Sequence, residues 1–182
     1  SYLNYLEDWP PIEKFSGLFL IEDKSFWGEL KKGSLNGLNA KNFLVHFDDS
    51  NDKKLLAVTG NLSGAMGKAI SFIAETPLSE NVMPILEWNY GGNIRSNINL
   101  EIPLFNIHDN QKYRKYDVSS EASNVTIDLK GTPITINNIS GVLDYSLAKG
   151  FHSKWINGKY KGREFNSKFL KDSTNQKVLV ET

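Results

Sequence analysis

The amino-acid sequence predicts a mainly β protein, an antiparallel meander with one helical interlude. Three observations carry this. Apolar and polar residues alternate with period two along much of the chain, as in Ile94, Ser96, Ile98, Leu100 and Ile102 against Arg95, Asn97, Asn99 and Glu101; this is the pattern of a strand with one covered and one wet face. Polar or glycine-containing breaks separate such stretches at short intervals, leaving no room for the repeated crossover helices that parallel strands need. The main departure from period two lies mid-chain, where apolar residues recur at three and four positions.

Taken in order, strands are expected over 17–22, 26–31, 42–47 and 54–62, with turn formers at Asp23-Lys24 and across 48–53. Over 64–74, Ala65, Met66, Ala69, Ile70, Phe72 and Ile73 mark one amphipathic helix, with Ser63 as its N-cap and Thr76-Pro77 as its stop. A second short helix is expected over 80–88, with Pro84 in its first turn and Gly91-Gly92 ending it. Residues 63–90 thus read as a helical insertion between two groups of strands. After it come strands over 94–102, 115–120, 124–129, 139–147, 151–157, 163–170 and 177–180. Val125, Ile127 and Leu129 share one face, as do Ile139, Leu143, Tyr145 and Leu147. Breaks fall at 110–112, Asn137-Asn138, Lys149-Gly150 and 173–175. Ser16-Gly17-Leu18 and Ser140-Gly141-Val142 open two similar stretches, a weak match that strand-start glycine usage accounts for.

A chain of 182 residues, 40% of them hydrophobic, buries a core as one domain without metals or disulfides. Its 21 Lys plus Arg balance 21 Asp plus Glu, which removes any global attraction to nucleic acid or an anionic membrane. With zero cysteines there are no disulfides, thiol nucleophiles or thiolate metal sites. No run approaches the roughly 18–20 apolar residues that cross a bilayer, and no basic-then-apolar leader opens the sequence. A section of a longer exported or anchored protein reads the same way.

Motifs for catalysis are weak. Gly67-Lys68 before a helix invites comparison with a phosphate loop, but Leu62 occupies the opening glycine position and Ala69 the magnesium-ligating hydroxyl position. His46, His108 and His152 are dispersed, so zinc has no local support. Asp48, Asp49, Ser50, Asn51 and Asp52 lack the spacing, glycine and closing glutamate of a calcium loop and read as a solvated hairpin. No serine sits in a G-x-S-x-G elbow, and Glu7-Asp8 or Asp48-Asp49 give no glycosidase geometry. The reading is therefore not an enzyme, with no cofactor and no metal.

Ten Phe, seven Tyr and four Trp fit either a closed core or, on an uncovered sheet face, a ligand surface. Period two alone does not choose between them. Lys149, Lys154, Lys159, Lys161, Arg163, Lys168 and Lys171 face only Glu164 in charge and interleave with Phe151, Trp155, Tyr160 and Phe165. A solvated outer sheet face explains this stretch better than a nucleic-acid site, which would bring a recognisable motif or a basic total charge.

The ordered set Tyr5-Leu6-Glu7-Asp8-Trp9-Pro10, Gly60-Asn61-Leu62-Ser63-Gly64 and Ile70-Ser71-Phe72-Ile73-Ala74-Glu75-Thr76-Pro77-Leu78 resembles the C-terminal half of YhdP-like members of the AsmA-like superfamily. The likeness continues through Gly91-Gly92-Asn93-Ile94, Leu100-Glu101-Ile102-Pro103-Leu104 and Ile139-Ser140-Gly141-Val142-Leu143-Asp144-Tyr145, and covers most of the chain. The resemblance implies a section of a large Gram-negative envelope protein, anchored in the inner membrane and extending through the periplasm. Its long curled antiparallel β-sheet would form an open apolar groove implicated in phospholipid transport toward the outer membrane. Residues 1–182 would be a single section of that groove, with phospholipid acyl chains and neighbouring segments of the same longer protein as partners. Membrane contact would come only through the full-length parent. Groove candidates on that basis are Ile94, Ile98, Leu100, Ile102, Val125, Ile127, Leu129, Leu143, Tyr145 and Leu147. The alternatives are a structural or assembly domain of an envelope protein with a closed β core, and a carbohydrate-binding sandwich that stacks sugars on exposed aromatics.

Overall fold

A computed structural model describes residues 2–4, 9–22, 25–48, 54–76, 79, 83–104, 114–171 and 178–181. The strands are β1 (Tyr2–Leu3), β2 (Ile12–Glu22), β3 (Ser25–Leu35), β4 (Leu38–Asp48) and β5 (Leu55–Ala65), followed by helices α1 (Met66–Ala74) and α2 (Met83–Leu86). Then come β6 (Asn89–Pro103), β7 (Lys115–Asp128), β8 (Thr135–Ser146), β9 (Gly150–Tyr160), β10 (Arg163–Lys171) and β11 (Val178–Glu181). All eleven lie in one sheet in chain order, each antiparallel to the next. The mainly β meander with a short helical interlude is as the sequence predicts. The sheet is open and uncurled, which corrects the curl implied by the resemblance. Part of its apolar face is covered by a helix laid on it, so that part needs no rolled sheet to leave water.

The strands are longer than expected, for one recurring reason. Lys14, Asn42, Asn124 and Asn138 have positive φ (49°, 54°, 50° and 53°) and sit at or beside shifts in strand register. Each marks a bulge, where one extra residue is inserted and the alternation changes phase. Glu13-Lys14, Lys41-Asn42, Ser123-Asn124 and Asn137-Asn138 are pairs of consecutive exposed residues, and the apolar residues beyond each pair return to the original face. The expected strands 115–120 and 124–129 are therefore one strand, β7, and the break expected at Asn137-Asn138 is a bulge within β8. Two tight turns follow ordinary hairpin chemistry. Asn36-Gly37 (φ 47° and 79°) joins β3 to β4, and Lys161-Gly162 (φ 48° and 79°) joins β9 to β10; both residues of such a two-residue turn need positive φ.

Helix α1 begins at Met66, and Ser63 is not its cap. Ser63 remains in β5, paired with Arg95, because the ladder to β6 runs on through Gly64 and Ala65. The position before the helix is Ala65, which makes no side-chain cap. Of the second expected helix, over 80–88, the described residues show Met83–Leu86 as α2, and residues 80–82 lie outside them.

The main core forms where α1 lies on the sheet. Leu30, Leu35, Leu38, Ala40, Phe43 and Leu62 are buried together with Phe72 of α1, and Ala69, Ile73 and Ile98 pack against them. Trp9 meets Phe72 edge-on, with ring centroids 6.3 Å apart, and Asn36 donates from Nδ2 to Glu75 Oε1 at 3.1 Å. We call this side of the sheet the helix face. Gly60 of β5 makes room for the Phe43 ring of β4, which lies where a side chain at 60 would stand. Gly60→Ala should lower unfolding free energy by about 1–3 kcal/mol through overpacking, read as a shifted urea midpoint with unchanged slope. An unchanged midpoint would contradict this packing.

Candidate functional site

Antiparallel partners project to the same side of a sheet, so the register defines the helix face across the second half of the chain. Ile98 of β6 pairs with Val118 of β7, and Val118 with Tyr145 of β8. The rows beside it join Leu100 to Tyr116, and Ser96 to Ser120 to Leu143; the Ser96 and Ser120 hydroxyls meet at 2.8 Å. Beyond the bulge at Asn124, Tyr90 pairs with Ile127 and Val125 with Ile139.

Of the groove candidates, Ile94, Ile98, Leu100, Ile102, Val125, Ile127, Leu143 and Tyr145 come together on this one face. Leu129 and Leu147 fall just outside strands, at the β7–β8 and β8–β9 turns. The face is unevenly covered. Val125 is 1% exposed and Leu100 7%, so these two are covered core, whereas Ile98, Ile127, Leu143 and Tyr145 are half-buried and Leu147 is exposed. Two helices lie on this face. Helix α1 packs on β5 and β6. Near the start of β6, the Tyr90 hydroxyl donates to the Ile85 carbonyl of α2 at 2.6 Å, fastening that helix to the same face. At the ends of β6–β8 that meet the β8–β9 turn lies an open hollow of about 610 Å³, whose lining comes chiefly from the side of the sheet opposite α1, with Asn97, Asn99, Asp117, Ser119, Asp144 and His152. Ile98, Val118, Tyr116, Tyr145, Leu147 and Arg114 border it. Tyr116, Val118 and Arg114 are additions to the sequence-based set; the two-residue spacing of Tyr116 and Val118 was the available signal, hidden by the phase change at Asn124.

Burial shapes the titration of the phenols here. It raises Tyr116 above the ordinary phenol value, partly offset by the Arg114 guanidinium, and it raises Tyr145, to which the charge of Tyr116 adds. Burial likewise pushes Tyr90 up to about 12.

The other sequence candidates separate from this face. Lys168 Nζ stands 4.4 Å over the Trp155 ring, and Lys159 pairs with Glu164 at 3.2 Å. With Lys154 they occupy the opposite, water-facing side of β9 and β10, as a solvated outer face requires. His46 is exposed, and His152 is half-buried with Nδ1 3.1 Å from the Gly150 carbonyl. Among the described residues no group of three or more His, Asp or Glu gathers as a metal site, and no helix is long and apolar enough to cross a membrane. Residues 49–52, His108 and Glu7-Asp8 lie outside the described residues. Gly67 and Lys68 lie in the first turn of α1, which follows β5 directly.

A family model described as YhdP protein matches residues 2–181. The chain belongs to the YhdP family. It thereby falls within the AsmA-like superfamily, and the YhdP family is one of cell-envelope proteins connected with lipid transport and is not known for enzymatic activity. No curated protein and no solved structure matches this YhdP-family chain.

Tyr90 supplies a pH test of the α2 attachment. Its pKa rises from 10.0 to about 12 on folding, so the neutral phenol is favoured in the folded state. Its contribution is fully present below pH 10.0 and is lost as pH climbs through about 12. Wild type should therefore lose stability relative to Tyr90→Phe across that window, and below it the variant should be weaker by about 1 kcal/mol for the lost hydrogen bond. Parallel stability curves for the two proteins, measured by urea unfolding at a series of pH values, would contradict the assignment.

Proposed function

We propose that this chain is a section of a periplasmic β-sheet surface that binds phospholipid acyl chains and supports phospholipid transport between the inner and outer membranes. The observation that carries the reading is the row Ile98, Val118 and Tyr145, continued by Leu143, whose half-buried side chains extend the apolar helix face from the α1 core across β7 and β8. Acyl chains need a continuous dry surface and no covalent chemistry, and neighbouring apolar side chains on one sheet face provide it. Family membership supports the lipid connection. The longer parent would be anchored in the inner membrane and would supply membrane contact.

Neighbouring segments of that parent are the natural partners of the sheet's edge. β1 pairs with β2 only at Ile12 and Glu13 among the described residues, and the rest of β2 carries exposed Leu18, Phe19, Leu20 and Ile21 on both faces. An uncharged apolar edge of this kind is an aggregation hazard unless another strand covers it.

A second reading, a structural or assembly domain with a closed β core, is favoured by the other half of the same face, where Leu30, Leu38 and Leu62 are sealed under α1. The two readings apply to different strands and separate experimentally. A photo-crosslinking residue placed in the full-length parent at Val118 or Leu143 should capture phospholipid in cells, and one placed at Leu38, 1% exposed, should not. Capture at neither open position, with folded protein present, would reject transport through this section. Equal capture at Leu38 would reject the division of the face.

Substituting a carboxylate extends the comparison. Ile127→Asp, at a half-buried position, should cost less folding stability than Val125→Asp, for which burial of an unpaired carboxylate costs several kcal/mol, on the order of 3–5. Equal losses in urea unfolding would mean that both positions are closed core.

A further inference from the structure

The hollow at the ends of β6–β8 is lined chiefly from the side of the sheet opposite α1, which separates it from the apolar surface assigned to acyl chains. Strand register arranges its polar lining in rows. Asn97, Ser119, Asp144 and His152 are successive partners across β6–β9, and Asn99, Asp117 and Ser146 form the row beside them. Neighbours in such a row have Cβ atoms roughly 4.5–5.5 Å apart, so one small molecule can reach several of them. Four of these side chains are uncommitted. Among the described residues, Asn97, Asn99, Ser119 and Asp144 make no side-chain hydrogen bond and no ion pair. Asn99, Ser119 and Asp144 are nonetheless half-buried, so each has given up part of its water shell without gaining a protein partner.

The chemistry of the lining selects a ligand class. Arg114, Lys115 and Lys149 are set against Asp117 and Asp144 around the hollow, and Lys115 is already engaged by Asp117 at 3.6 Å; charge therefore selects neither an anion nor a metal ion. An asparagine amide donates and accepts, a serine hydroxyl does both, and a carboxylate accepts O–H donors at either oxygen. This set matches a neutral ligand whose own groups each donate and accept at close spacing, as the adjacent hydroxyls of a sugar ring do. Leu147 and Ala148 at the β8–β9 turn add aliphatic surface for the C–H side of such a ring. The volume, about 610 Å³, lies within the range of small-molecule sites, roughly 300–1,000 Å³. We propose that the hollow is a carbohydrate-binding site for a neutral pyranose unit of a glycan chain, with Asn97, Asn99, Ser119 and Asp144 hydrogen-bonding its hydroxyls. The site is independent of the acyl-chain reading, because the two surfaces lie on opposite sides of the sheet. A free sugar presents the same hydroxyls as a glycan, and the experiment has to separate the two sources.

Backbone amide shifts of the 182-residue chain, followed during titration with glucose, cellotriose and chitotriose, make the test, with trigalacturonate as an anionic comparison. At least one neutral trisaccharide should bind, moving the signals of Asn97, Asn99, Ser119, Asp144 and His152 and leaving those of Leu30, Leu38 and Leu62 in place. Asn99→Ala and Asp144→Ala should each weaken that trisaccharide about tenfold. Both should unfold in urea near the wild-type midpoint, since neither side chain has a protein partner to lose. Asn157→Ala, exposed on β9 outside the hollow, should bind as wild type does. Folded wild type that binds no neutral trisaccharide, or signals that move without regard to the hollow, would overturn the site. So would an affinity unaltered in both Asn99→Ala and Asp144→Ala. Glucose bound as tightly as the trisaccharide would identify a free-sugar site and overturn the glycan assignment, and tighter binding of trigalacturonate would overturn the preference for a neutral ring.

Discussion

Beyond β2, the strands of this sheet hold most of their apolar residues on one side over lengths of up to fifteen residues, and the rest of the structure depends on that. Period-two alternation accomplishes it only while the register stays intact, since a slip of one residue turns the whole apolar set toward water. The chain meets the constraint by absorbing extra residues in bulges, with Lys14, Asn42, Asn124 and Asn138 in the left-handed region and two polar neighbours turned outward at each. Asparagine tolerates this backbone better than most residues because its short polar side chain bonds locally. The helix face consequently continues from Leu30 and Phe43 through Ile98 and Val118 to Tyr145.

A continuous apolar face then poses a second requirement, that something exclude water from it. Helix α1 does so over β5 and β6, and the Tyr90 hydroxyl bond brings α2 to the same face near the start of β6. What remains is a stretch of β6–β8 whose aliphatic and phenolic side chains are half-buried. The molecule thus combines a sealed core with an uncovered surface on one side of one sheet. The sealed part gives the fold a helix-on-sheet packing unit that carries stability, and it leaves the uncovered part free of that burden. Function under this account is a matter of which strands the helices do not reach.

Much of this was legible in the sequence. The alternation at Ile94–Ile102 and at Leu143–Tyr145 put these side chains on their observed face, and the three-and-four spacing of Ala69, Ile70, Phe72 and Ile73 located α1. Strand lengths were not legible, because a bulge presents two polar residues in succession and resembles a turn, as Asn137-Asn138 does. The helix start was misplaced because local capping preference at Ser63 was weaker than the ladder hydrogen bonds to β6, which are long-range and have no local signature. Exposure was the least legible. Val125 and Ile127 carry the same alternation, yet Val125 is covered and Ile127 is half-buried, since cover depends on where a helix distant in sequence comes to rest. Tyr116 and Val118 form no motif in the sequence and join the apolar face only once β7 pairs with β6 and β8.

The central claim is that acyl chains contact the uncovered part of the helix face and avoid the part beneath α1. Paramagnetic broadening of backbone amide signals by phospholipids spin-labelled along the acyl chain tests it residue by residue in the folded chain. The account predicts broadening centred on Val118, Leu143 and Tyr145, with signals from Leu30, Leu38 and Leu62 preserved. Broadening that spares the first group, or that affects both groups alike, would contradict it.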